Sequence, residues 1–163
     1  MMAKIQFSKG DKYLSKLSQL DSSLKDQVIG PAVYDGAAVV ADAIRAGIQD
    51  IPTDERHGTP SKPVNGPSRK YIRSLSNDLG IAKIRNDDGY INVKIGWDGY
   101  SSVKTKKYPK GVPTQMLARS VERGTSFMRA TPFVKKAVSA SKKQAVEQMK
   151  QTIDENIDTT MKG

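Results

Sequence analysis

Residues 80–97, reading GIAKIRNDDGYINVKIGW, limit what this chain can fold into more than any other stretch. Ile81, Lys83 and Arg85 alternate with Ala82 and Ile84, and Ile91, Val93 and Ile95 alternate with Asn92, Lys94 and Gly96, on either side of an Asn-Asp-Asp-Gly turn. Period-two alternation around such a turn predicts a β-hairpin over 80–97, with one apolar face and one carrying Lys and Arg. An antiparallel sheet of this kind has its apolar face covered by other elements, and the flanking sequence supplies helices for the purpose.

Before the hairpin, Leu14, Leu17, Leu20 and Leu24 recur at helical spacing after Gly10-Asp11, within a helical region spanning 11–51. Gly30-Pro31 is expected to interrupt that region, and a fresh helix starts at Pro31. Its stripe is Val33, Ala37, Val40, Ala41, Ile44 and Ile48, thinned by alanines and Gly36 so that another backbone can approach, and Pro52 ends it. A brief helical turn follows over 68–75. After the hairpin, Pro113 opens a helix over 113–123 through Met116, Leu117 and Val121, and Gly124 closes it in a left-handed conformation. Thr131 is placed to cap a last helix over 131–158, with Pro132 at its first position. Val134, Val138, Ala145, Met149, Ile153 and Ile157 line that helix. At 1.5 Å per residue it is about 40 Å long, more than a small sheet covers, so its far end is expected to project or to pack on a neighbour. The expectation is a single α+β domain over 1–163: a small antiparallel sheet packed on one side by a long N-terminal and a long C-terminal helix, with extended loops.

Two of those loops carry chemistry. Residues 52–67 space Pro and Gly closely without apolar periodicity, and a loop this long suggests an arm that orders on assembly. Residues 99–112 form a basic loop, expected to be mobile, in which Lys104, Lys106, Lys107 and Lys110 stand beside Tyr100 and Tyr108. Cations with neighbouring rings suit nucleic acid or an acidic partner, although a solvated or subunit-contacting loop explains the same residues.

The formal charge of +10 is uneven. Residues 1–51 hold six basic and six acidic residues, 52–111 twelve and six, and 112–163 nine and five. Cysteine is absent, which removes disulfides, thiolate nucleophiles and thiolate metal sites. No run approaches the roughly 20 apolar residues of a membrane span, and the start lacks the apolar run of a secretion signal, so the chain is expected in the cytoplasm when made, away from membranes.

Catalysis finds little to build on. His57 is the lone histidine, with Asp54 and Glu55 as its local partners for a metal, and an exposed loop histidine is the reading favoured. Asp87 and Asp88 precede Gly89 and fit turn chemistry better than a carboxylate pair. Ser120 lies on a helix rather than on a strained turn, and no phosphate-binding or dinucleotide fingerprint occurs. The expectation is no enzyme, no cofactor and no metal.

Residues 121–137, VERGTSFMRATPFVKKA, are the densest motif in the chain. Glu122, Gly124, Thr125, Ser126, Met128, Ala130, Pro132, Phe133 and Ala137 match a pattern that resembles the HK97 gp10-like family of phage morphogenesis proteins, just before the last helix. The order of the other elements agrees. The chain departs from that family after Ile51-Pro52, where an enlarged loop precedes only a weak counterpart of the family's Leu-x-x-Ser element at 71–75. The resemblance implies a virion protein of a tailed phage or prophage, acting at the neck or upper tail in tail completion or head–tail joining, or as a tail terminator capping the tube. It implies a homo-oligomeric ring, commonly hexameric, contacting head-completion, terminator or tail-tube proteins, with DNA passing through. Gly124, Thr125, Ala130, Thr131, Pro132, Phe133 and Ala137 then serve as structural motif, with Phe133 anchored in the core beneath the sheet. Glu122, Met128 and Arg129 are left as candidate subunit contacts. The alternative from another class is a basic nucleic-acid-binding accessory protein.

Overall fold

The computed structural model describes residues 3–6 and 22–162. The leucines expected to form a first helix, Leu14, Leu17 and Leu20, lie outside them. The elements in order are β1 (Ala3–Gln6), α1 (Ser22–Gln49), α2 (Arg69–Asp78), β2 (Leu79–Ile81), β3 (Arg85–Asp87), β4 (Tyr90–Trp97), α3 (Thr114–Arg123) and α4 (Phe133–Lys162). The architecture is α+β: a small antiparallel sheet against which the two long helices α1 and α4 are packed.

β4 is the central strand. β1 pairs with it on one side, from Ala3 opposite Ile95 to Gln6 opposite Asn92. On the other side β2 pairs Leu79 with Trp97 and Ile81 with Ile95, and β3 pairs Arg85 with Asn92 and Asp87 with Tyr90. The expected first arm of the hairpin is therefore two short strands. Residues 82–84 face only Val93 and Lys94, so one extra residue is inserted and the strand bulges, although Ala82 N–H still reaches the Lys94 carbonyl at 2.8 Å. The insertion breaks the alternation, and Ile84 is left 43% exposed. The turn itself is as expected: Asp88 (φ 54°) and Gly89 (φ 88°) form the two-residue connection whose twist matches an antiparallel pair.

Ile91, Val93, Ile95 and Trp97 of β4 are buried toward the helices. Trp97 donates its indole N–H to the Leu75 carbonyl at 2.9 Å and meets Phe133 edge-on, with ring centroids 5.9 Å apart. Asn92, on the alternate side of the strand from these apolar residues, is also fully buried, with its amide donating to Asp87 and to the Tyr90 carbonyl.

Pro31 does not start a helix. It lies inside α1, which runs unbroken for 28 residues. An interior proline costs about 3 kcal/mol through its lost N–H bond and ring clash. Here the residue before it is glycine, which has no Cβ to meet the ring. Pro31 itself faces outward, while Val28, Ala32 and Val33 around it are fully buried. At roughly 1.5–3 kcal/mol for each larger side chain buried, the continuing stripe outweighs the break.

The same stripe accounts for α4. The two helices lie antiparallel: Gly47 is beside Phe133 and Ala137, Gly36 beside Ala145 and Met149, and Val28 and Ala32 pack with Met149, Ile153 and Ile157. At Gly36 the approach is so close that a Cβ would stand 2.6 Å from Met149 Cγ. Thr152 adds a polar tie, donating to Asp35 at 2.8 Å. With 28 and 30 residues the helices are matched, about 42 and 45 Å long. The far end of α4 was expected to project or to meet another subunit; α1 of the same chain covers it. No helix among the described residues is long and apolar enough to cross a membrane.

Candidate functional site

The segment 121–137 joins α3 to α4, and its residues are consumed in making that joint. Gly124 ends α3 with its N–H on the Ser120 carbonyl at 2.8 Å. Its backbone (φ 76°, ψ 170°) is not the left-handed helical conformation expected but a more extended region open essentially to glycine alone, and a Cβ there would stand 2.8 Å from the Ala130 nitrogen. Thr125 and Met128 then exchange backbone bonds, closing a tight turn with Ser126 and Phe127 at its tip, where the Thr125 hydroxyl accepts the Phe127 N–H. Thr131 returns the chain to α3 by donating its N–H to the Val121 carbonyl at 2.8 Å. Ala130 is exposed, Pro132 precedes the first helical residue, and Phe133 and Ala137 are buried against Trp97 and α1.

The cap of α4 is a second departure. Thr131 gives its carbonyl, not its hydroxyl, to the Phe133 N–H. The free N–H groups of the first turn, Val134 and Lys135, instead donate to the carboxylate of Glu122 at 2.8 and 3.0 Å. A helix begins with unsatisfied N–H groups and a partial positive charge, so a buried carboxylate is well placed there. Glu122 is only 7% exposed, and Met128 is buried as well. Of the three residues considered for subunit contact, Arg129 alone presents its side chain to solvent.

The loop 52–67, expected as an arm awaiting assembly, is fastened within the chain. Val64 and Met128 form a parallel bridge, in which Val64 N–H bonds Phe127 O and Arg129 N–H bonds Val64 O, both at 2.9 Å. Asp54 N–H bonds the Pro67 carbonyl, and Glu55 accepts the Arg69 N–H at the start of α2. Arg56 wraps back on Asp54 through its guanidinium and its own N–H, and these hydrogen bonds lower the Asp54 pKa to about 2. The Pro/Gly spacing that announced a loop also hid Val64, the buried apolar residue that pins it.

The second loop is not loose either. Tyr100 bridges Pro113, Ser101 N–H bonds Val112 O, Val112 N–H bonds Val103 O, and Thr105 and Tyr108 exchange backbone bonds. The result is a finger with Lys106 and Lys107 at its turn and Val103 and Tyr108 packed toward the core. Lys104, Lys106, Lys107 and Lys110 are all exposed, and the Lys107 ammonium lies 5.7 Å from the Tyr108 ring centre.

These pieces enclose an open cleft of about 940 Å³. Its walls bring together Arg56 and His57 of the first loop, Lys70 and Tyr71 of α2, Lys104 of the finger, Ser120 of α3 and the 125–128 turn. Burial raises the Tyr71 pKa. Ser120 turns its hydroxyl to the Met116 carbonyl of its own helix. His57 is exposed, Asp54 and Glu55 beside it are already engaged, and no group of three His, Asp or Glu able to hold a metal occurs among the described residues. Asp88 serves the hairpin turn.

Compared with family models, curated proteins and solved structures, the chain has no match in any of the three.

Proposed function

We propose that this chain is a structural protein of a tailed-phage or prophage virion, a neck or tail-completion component that forms a ring with its own copies and helps to join tail to head. One observation carries the reading: the segment 122–137, whose residue pattern resembles the phage morphogenesis family, is also the joint on which α3, α4, the 52–67 loop and the sheet converge. A motif that builds one particular shape suits a protein that works through complementary surfaces rather than turnover. The length of α4 lends no support, because α1 covers it. Support for a surface role comes from what the joint leaves outside, the side chains of Arg129 and the 52%-exposed Phe127 at the turn tip. A terminator capping the tail tube is the nearest variant, differing in position along the tail rather than in kind.

Electron microscopy of purified virions with antibody against the chain tests the proposal. Label at the neck or upper tail, with ring-shaped particles of the isolated protein, is the expected result. Absence of the chain from virions and from tail assembly intermediates overturns it.

A further inference from the structure

Residues 99–146 hold eleven Lys and Arg but a single acidic residue, Glu122. The remainder of the chain holds 27 less eleven basic residues and 17 less one acidic, sixteen of each, so this stretch carries the whole excess of +10. The structure sharpens the imbalance. Glu122 is buried with both oxygens on the α4 N–H groups, while all eleven cations are exposed. None of the eleven forms an ion pair with a described carboxylate.

The cations are also gathered. Tyr100 and Pro113 tie the lysine finger to the start of α3, Lys104 shares a cleft wall with Ser120 and the 125–128 turn, and Glu122 ties α3 to the first turn of α4. Arg119 and Arg123 lie one turn apart on α3, and Lys135 and Lys142, like Lys136 and Lys143, lie two turns apart on α4. Carboxylates at the border are occupied: Asp54 by Arg56, Glu55 by the Arg69 N–H, Asp78 by the Thr114 hydroxyl and Asp98 by the Gly99 N–H. Asp50, which lines a pocket with Lys136, and Glu147, one turn beyond Lys143 on α4, are bordering acids that none of these bonds engages.

We infer that this surface is a sequence-independent binding site for the phosphate backbone of duplex DNA. Eight of the eleven cations are lysines, a residue depleted from protein–protein interfaces yet well suited to phosphate as a compact charge. Cations spread over a finger, two helices and a turn fit an extended row of phosphates better than one carboxylate pocket. The inference rests on charge and placement, and stands apart from the virion reading.

Fluorescence anisotropy of the full chain with labelled duplexes of two unrelated sequences tests it. Both duplexes should bind alike, and contact with six or more phosphates makes affinity fall about a thousand-fold or more from about 50 to about 200 mM salt. Changing Lys104, Lys106, Lys107 and Lys110 together to Ala should flatten the log–log salt slope by roughly 0.9 for each lysine that touches a phosphate, and Lys135, Lys136, Lys142 and Lys143 to Gln should act likewise. Lys83→Ala with Arg85→Ala, outside the surface, should leave the slope unchanged. All are exposed side chains, and matched thermal melts confirm folding. The proposal is overturned by absent or salt-insensitive binding, by both quadruple variants retaining the wild-type slope, or by tighter binding to poly-glutamate or to vesicles containing phosphatidylserine.

Discussion

Glu122 Oε2 lies 2.8 Å from the backbone nitrogen of Val134, so α3 supplies from its own last turn the cap that α4 lacks in its local sequence. The companion oxygen takes the next N–H, that of Lys135, at 3.0 Å. Glu122→Ala strands two donors, the buried N–H of Val134 and the partly buried N–H of Lys135, and should cost about 2–3 kcal/mol in urea denaturation. Glu122→Gln keeps one acceptor oxygen and should lose about half as much. An unchanged midpoint for both variants would show that the cap is not part of the stability of the fold.

Pro31 is carried by α1 against its local preference. Pro31→Ala restores an N–H for the Gln27 carbonyl without touching the buried stripe, and should stabilise the protein by about 1–3 kcal/mol. The check is the melting temperature, which should rise.

Gly58 lies against the Phe127 carbonyl, leaving no room for a Cβ. Gly58→Ala should detach the 52–67 loop from the 125–128 turn while the helices hold. Hydrogen exchange would read this as faster exchange at the Val64 and Arg129 N–H groups, with Val93 and Ile95 unaffected.

Acid should act on the same loop late. The folded Asp54 pKa, about 2, lies below the unfolded value of about 3.9, so its contribution is present above the unfolded value and lost as pH falls through the folded one. The Arg56 N–H, which donates to Asp54, should keep its protection from pH 7 to about 4 and lose it progressively toward about 2. In Asp54→Asn that dependence should vanish, as amide exchange followed by NMR would show.

The fold class was legible because it rests on periodicity. Ile91, Val93 and Ile95 in alternation, and the stripes of α1 and α4 at helical intervals, are local patterns that tertiary packing kept. What escaped was long-range. Pro31 looks like a break until Ile153 and Ile157 are known to bury the residues around it, and α4 looks too long only while it is measured against the sheet rather than against α1. Val64 is a lone valine among prolines and glycines, with nothing nearby to announce Met128 across the turn. Glu122 stands twelve residues before the N–H it caps, well beyond the span of a local capping box, so the motif showed as a pattern while its carboxylate was taken for surface.

The extra residue at 82–84 bears on association as well as on register. It divides one border of the sheet into two three-residue pieces set out of line, with Ile84 between them lying beside Gly30 of α1. A foreign strand would find too few backbone groups in one row there to continue the ladder. That border is thereby blunted against the fibre-like growth that an open strand edge invites.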